Sequence, residues 1–278
     1  MQSERPARPA SPTVTAAQPA TSAPEAAPSA EPVSTLLPPQ LAATALAGRE
    51  VSDTWSGLKP VRPGPKSLFA ALGHDCDGPV AREFDILRTE VLQVLRSEGW
   101  KRIGVVAPHA GCGTTFTAIN LACGLARVEQ FRTLLVDLNQ RAPGLHKALD
   151  LPWRGNIADL LEGDYHAAQY ARAYSDTLAL LLNAATSPAS ADLLHRARTA
   201  VMLEDIYLSL DPGVVVFDLP PLLDYDDLSA FAPNLDAVLL VASAETTTSA
   251  EILDCERKLS GHVPLLGVVL NKTKQARP

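Results

Sequence analysis

No stretch of this sequence stays apolar for the roughly 18–20 residues that a bilayer-spanning helix needs. The opening MQSERPARPASPTVTAAQPA has no continuous apolar core of the kind a secretory leader carries. The chain is therefore expected in the cytoplasm, with any membrane role supplied through a partner. Cysteine is scarce. The four, at positions 76, 112, 123 and 255, form no C-x-x-C pair and no metal-ligand spacing, which argues for reduced thiols over a disulfide framework or a zinc site. Positive charge is also short, with 24 Lys and Arg against 31 Asp and Glu and a formal net charge of −7. Without a large basic block, sequence-independent nucleic-acid binding is not expected. Aromatic residues make up only 5%, and no repeat of 20–50 residues is present.

What is present falls into two parts. The 278 residues allow one or two domains. Twelve of the 23 prolines fall in the first 65 residues, mixed with Ala, Ser and Thr. Such a segment has too little bulky apolar surface to offset the entropy of ordering it, so residues 1–78 are expected to be a mostly disordered arm. A short docking helix over 36–46 is the weak exception.

From Pro79 the pattern changes, and 79–278 is expected to be one domain. Residues 80–98 place Phe84, Leu87, Val91 and Leu95 on one helical face, closed by Gly99. Short apolar runs at 102–107, 131–136, 178–182, 214–217, 237–241 and 265–270 predict strands. Helices are predicted at 115–127, about 156–161, 189–208 and 251–259. Short strands apolar on both faces, alternating with helices, predict an α/β fold: a mostly parallel sheet sandwiched by helices. Ligands of such folds bind beyond the carboxyl ends of the strands.

The residues just after three strands carry the chemistry. Pro108-His109-Ala110-Gly111-Cys112-Gly113-Thr114-Thr115 follows the first strand and opens a helix. That is the setting of a phosphate-binding loop, where backbone N–H groups and a helix N-terminus face an anion. The pattern G-x-x-x-x-G-K-[ST] is met by Gly113 and Thr115, but Thr114 stands at the lysine. Asp137 ends the second strand and Asp218 the fourth, each suited to the coordination sphere of a nucleotide-bound Mg²⁺.

Together these segments resemble the bacterial tyrosine autokinases of capsule and exopolysaccharide synthesis, within the MinD/ParA-like branch of P-loop ATPases. The resemblance spans about 80–275. It rests on Leu87-Arg88-Thr89, the altered loop, Asp137-Leu138-Asn139-Gln140-Arg141-Ala142-Pro143, Asp218-Leu219-Pro220-Pro221 and Gly267-Val268-Val269-Leu270-Asn271. It implies that Gly111, Cys112, Gly113, Thr114 and Thr115, with Arg141 and Asn271, bind nucleotide. It implies that Thr115, Asp137 and Asp218 hold Mg²⁺ and that Asp137 and Asp218 are the catalytic carboxylates. Asp227 matches an aspartate that often follows the D-x-P-P segment. Mg-ATP or Mg-ADP is the implied cofactor. The implied partners are a membrane polysaccharide chain-length or co-polymerase protein and further copies of the chain.

The departures from that family all touch function. Thr114 removes the charge that bridges β- and γ-phosphate oxygens. Loss of a single preorganised donor costs about 10²–10³ in rate. Asn139 replaces the second aspartate of D-x-D, and the tyrosine cluster at the family's C-terminus is not found. The tyrosines here are 165, 170, 174, 207 and 225. The oligomerisation helix pattern E-x-x-R-x-x-R reads Arg82, Asp85, Arg88, with the first two signs exchanged. His109, at the position of the extra signature lysine of MinD-like proteins, and Arg141, Lys101 and Lys272 are the candidate replacement cations. Three readings stay open: a pseudo-kinase that regulates polysaccharide export by contact, an active tyrosine kinase or ATPase with a nonstandard loop, and a MinD/ParA-type positioning ATPase.

Overall fold

The structure is a computed structural model that describes residues 54–67, 79–128 and 132–273. The 36–46 helix expected within the arm lies outside the described residues. Among the described residues eight strands form one sheet: β1 (Lys59–Pro60), β2 (Arg102–Val106), β3 (Thr133–Asp137), β4 (Arg172–Ala173), β5 (Leu178–Leu181), β6 (Val214–Asp218), β7 (Ala237–Ser243) and β8 (Leu265–Asn271). Their spatial order is β1-β4-β5-β3-β6-β2-β7-β8. Every neighbouring pair is parallel except β4 and β5.

The apolar runs become strands buried on both faces because each face meets its own helical layer. Leu134, Val136, Val215 and Phe217 point into one core, while Leu135, Val214 and Val216 point into the other. The second core is roofed by α1 (Pro79–Glu98), α2 (Thr114–Ala126) and α3 (Leu145–Ala148). The first is roofed by α4 (Ile157–Glu162), α5 (Ala167–Tyr170), α6 (Ser190–His195), α7 (Ala197–Leu210), α8 (Asp227–Phe231) and α9 (Ser249–Leu259). Phe217 and Phe231 meet edge to face there, with ring centroids 5.0 Å apart.

Two helix expectations are corrected. The helix expected over 189–208 is two, because Arg196 is extended (φ −67, ψ 139) between α6 and α7. Thr199 Oγ1 donates to the Leu193 carbonyl at 2.6 Å and so closes the end of α6. α9 begins at Ser249, two residues ahead of the expected start, because Thr248 and Glu251 form a capping box.

Residues 54–67 also depart from the expected disordered arm. Trp55 and Leu58 are buried in the first core. β1 pairs with β4, and the Val61 amide donates to the Ala173 carbonyl at 2.8 Å. Further on, the Gly64 amide donates to the Leu149 carbonyl at 3.2 Å. Prolines at 60, 63 and 65 are compatible with this course because β1 lies at the sheet edge, where missing N–H donors cost little. Two buried apolar side chains, Trp55 and Leu58, offset the composition that surrounds them.

Candidate functional site

β3, β6 and β2 are adjacent in the sheet, so the segments leaving their carboxyl ends converge. The loop after β2 runs to Gly113, and α2 starts at Thr114. Gly111 and Gly113 have φ of 86° and 99°. At Gly113 the requirement is twofold: the backbone is left-handed, and an added Cβ would collide with the Asn271 amide. No side chain caps the start of α2, which leaves its N-terminal dipole facing the loop.

Behind the loop lie two buried carboxylates. Asp137 and Asp218 are register partners on β3 and β6, and neither is exposed to solvent. The Asp137 carboxylate accepts from the amides of Leu145 (3.1 Å) and Asn139 (3.2 Å). Thr115 Oγ1 donates to Asp218 Oδ2 at 2.7 Å. The Thr115 hydroxyl gets there because residue 144 is glycine: an added Cβ would stand 3.0 Å from Oγ1. Burial, and then the neighbouring Asp218 charge, push Asp137 well above the usual carboxylate range. Burial pushes Asp218 up to about 7, against the opposing Thr115 hydrogen bond. Asp218 Oδ1 is buried and takes no hydrogen bond. A free, buried, hard oxygen beside a threonine hydroxyl and a second carboxylate fits a divalent cation of the Mg²⁺ type.

The expected replacement cations are placed as follows. Thr114, at the lysine position, is neutral. His109 is gripped by acids, its Nδ1 2.6 Å from Asp224 Oδ1 and its Nε2 3.2 Å from Glu251 Oε1. Arg141 gives Nε and Nη2 to Asp227 Oδ2 at 3.1 and 2.9 Å, and Nη1 to the Pro188 carbonyl at 2.6 Å. Its guanidinium also lies 4.8 Å over the Tyr225 ring. The guanidinium expected at a nucleotide is thus engaged with the segment around Asp227. Lys101 precedes β2, at the opposite end of that strand from the loop. Of the four, Lys272 alone is exposed next to the loop, just beyond Asn271.

Asn271 donates from Nδ2 to the Cys112 carbonyl at 2.9 Å, and its Oδ1 accepts from the Lys272 amide at 2.8 Å. It braces the loop from the end of β8. The Cys112 thiol is turned inward, 3.6 Å from Thr247 Oγ1. In α1, Asp85 pairs with Arg88 at 3.2 Å and also with Arg127, which joins α1 to the end of α2 within one chain. Tyr170 is buried, with its hydroxyl on the Leu182 carbonyl at 2.7 Å, so only Tyr165 and Tyr225 count as well exposed. No sequence motif marks Asp224 or Glu251 as a partner of His109. The T-x-x-E spacing of Thr248 and Glu251 was legible, but its link to His109 was not, because 142 residues separate them.

No family model matches the chain. It is 27% identical over 197 residues to the putative tyrosine-protein kinase EpsB of Ralstonia nicotianae, covering 70% of this chain and 26% of that protein. It is 23% identical over 200 residues to the putative tyrosine-protein kinase CapB of Staphylococcus aureus, covering 69% and 84%. Against the tyrosine-protein kinase CpsD of Streptococcus pneumoniae it is 28% identical over 186 residues, covering 64% and 78%. The chain thus spans about a quarter of the first relative's length and most of the other two. Among solved structures, the chimerical protein CapA2B2 superposes with a TM-score of 0.67 at 23% identity, covering 80% of this chain and 99% of that one. The kinase domain of Escherichia coli ETK gives a TM-score of 0.64 at 21% identity, covering 73% and 82%. The chain is thus similar to proteins named tyrosine-protein kinases, and it shares the fold of CapA2B2 and of the ETK kinase domain.

Proposed function

We propose that this chain serves capsule or exopolysaccharide synthesis as a nucleotide-fold regulatory subunit that is weak or inactive in phosphoryl transfer and acts through a membrane co-polymerase partner. One observation carries the reading. The phosphate loop and its oxygen cluster are kept, while Thr114 is neutral, His109 is held by two carboxylates and Arg141 by Asp227, which leaves Lys272, exposed just beyond β8, as the remaining candidate cation beside the loop.

In this reading the backbone of Gly111–Thr115 and the start of α2 cradle the phosphates. Thr115, Asp137 and Asp218 hold Mg²⁺, which when bound neutralises charge on the phosphate oxygens. Asn271 keeps the loop in its binding shape from the β8 side. Asn139 holds the turn after β3, its Oδ1 accepting from the Ala142 amide at 3.0 Å, and adds no charge to the cluster. Loss of a charged hydrogen bond costs about 1.5–3 kcal/mol, so affinity for Mg-ATP or Mg-ADP should lie roughly 10–150-fold below that of a lysine-bearing loop. A partner is supported by the succinoglycan biosynthesis transport protein ExoP of Rhizobium meliloti, 29% identical over 197 residues that make up 23% of its length. There the matching domain is part of a much larger transport protein.

Calorimetry of Mg-ADP and Mg-ATP on the native chain and on Thr114→Lys tests this. Weak or no native binding, raised tenfold or more by the lysine, is expected. Native micromolar binding that the lysine does not improve overturns it. The second reading, an active kinase, is favoured by the intact Thr115, Asp137 and Asp218 cluster. It requires native binding together with transfer of ³²P from ATP to a tyrosine.

A further inference from the structure

His109 sits at the start of the phosphate loop with a carboxylate oxygen at each ring nitrogen, Asp224 at 2.6 Å from Nδ1 and Glu251 at 3.2 Å from Nε2. An ionised carboxylate only accepts, and a neutral imidazole carries a single N–H. Both contacts can be hydrogen bonds together only in the imidazolium form. The two acids come from separate elements, and each is anchored in its own right. Asp224 lies on the segment after β6, which is tied to the loop's approach by the Leu222 amide on the Ala107 carbonyl (2.8 Å) and the Leu223 amide on the Pro108 carbonyl (3.1 Å). Lys258 Nζ, from α9, donates to the Leu222 carbonyl at 2.8 Å. Glu251 gives one oxygen to the capping box, where Oε2 accepts from the Thr248 amide at 2.7 Å, and turns the other to His109.

We propose that His109 is a protonation-dependent latch of the phosphate loop. As imidazolium it staples the loop to the post-β6 segment and to the start of α9; as neutral imidazole it keeps one contact, and the other becomes lone pair against carboxylate. The latch acts by positioning the loop backbone, and it stands whether or not nucleotide binds there. The charged groups around it are Asp224 on the post-β6 segment and Glu251 on α9, with Lys258 held on backbone carbonyls and Asp226 turned toward Arg141 at 4.0 Å. One positive charge thus faces two negative ones. The Asp224 hydrogen bond, opposed by partial burial and helped by both carboxylate charges, raises His109 above the ordinary imidazole range. The sign follows: the latch is complete below an imidazole's ordinary value of about 6.5 and is lost as pH rises through His109's own, higher value.

The test is ring-nitrogen NMR titration of the histidines in the full chain, with His109 assigned by His109→Gln, alongside hydrogen exchange of the 109–113 amides corrected for intrinsic rate. His109 should titrate above an imidazole's ordinary value of about 6.5, and Asp224→Asn and Glu251→Gln should each lower it. Glutamine preserves the capping box, so a general loss of α9 is separated from loss of the charge. Loop protection should fall about two- to fivefold as pH passes the His109 midpoint, the range expected of a partly exposed ion pair. In His109→Gln it should stay low and flat. Titration of His109 at or below about 6.5, or unchanged pH dependence in His109→Gln, overturns the proposal.

Discussion

Arg141 and Asp227 lock the segment after β3 to the first residue of α8, with both Nε and Nη2 on one carboxylate oxygen of a fully buried aspartate. The pair takes an arginine that sequence motifs assign to nucleotide and uses it inside the fold. Asp227 Oδ1 is buried and takes no hydrogen bond, so the guanidinium on Oδ2 is the main compensation for that buried group. Removing one side of such a pair costs about 3–5 kcal/mol, whereas removing both sides costs far less. Arg141→Met should therefore lower stability by about that amount, and Arg141→Met with Asp227→Leu should recover most of it. Urea unfolding of the two variants checks this. A loss under 1 kcal/mol in the single variant would show that Asp227 is satisfied in another way.

The buried Asp137 and Asp218 pair carries a stability cost. Both titrate above the usual carboxylate range in the folded chain, so the folded state holds protons that the unfolded state gives up. Stability then falls as pH rises from about 4, the ordinary carboxylate value, toward the raised one. Asp218→Asn removes one charge while keeping an acceptor for Thr115. It should stabilise the chain at pH 8 by about 1.4 kcal/mol for each unit by which Asp218 is raised, and by little at pH 4. It should also abolish Mn²⁺ binding, read by paramagnetic broadening. Equal melting temperatures of native and variant chains at pH 8 would remove the basis for this prediction.

Gly113 supports a sharper steric test. Alanine there must adopt a left-handed φ and also displace the Asn271 amide that holds the Cys112 carbonyl. The backbone part costs about 1–2 kcal/mol. Asn271→Gly in the same chain should relieve the collision but not the backbone strain, so Gly113→Ala should remain destabilising in that background by roughly this amount. Thermal melts of the four chains separate the two contributions.

Much of this fold was legible because its sheet is parallel and covered on both faces. The runs at 102–107, 214–217 and 237–241 admit no other burial, and an aspartate at the end of such a run points to the carboxyl edge. Thr115 and Asp218 meet as their motifs imply, since adjacent strands place them there. What was not legible depended on partners far apart in sequence. Nothing near His109 announces Asp224 or Glu251, and nothing near Arg141 announces Asp227. The two-residue strands β1 and β4 carry no periodicity, and Trp55 stands alone among prolines and small residues.

Trp55 therefore tests whether the strap before α1 is part of the folding unit. Its side chain is buried in the core shared by β3, β6 and α7, and the Arg132 guanidinium lies 5.4 Å over its ring. Truncating a buried Trp to Ala costs about 3–5 kcal/mol, and for a domain of this size each kcal/mol lowers Tm by about 2–4 °C. Trp55→Ala should then melt about 6–20 °C below the native chain. Trp55→Phe should lose less, because most of the apolar area stays and the indole N–H, which is buried with no hydrogen bond, is removed. A chain that begins at residue 79 lacks the anchor and the β1 pairing together, so it should melt no higher than Trp55→Ala. If the shortened chain instead melts with the native one, residues 54–67 rest on the sheet edge without stabilising it.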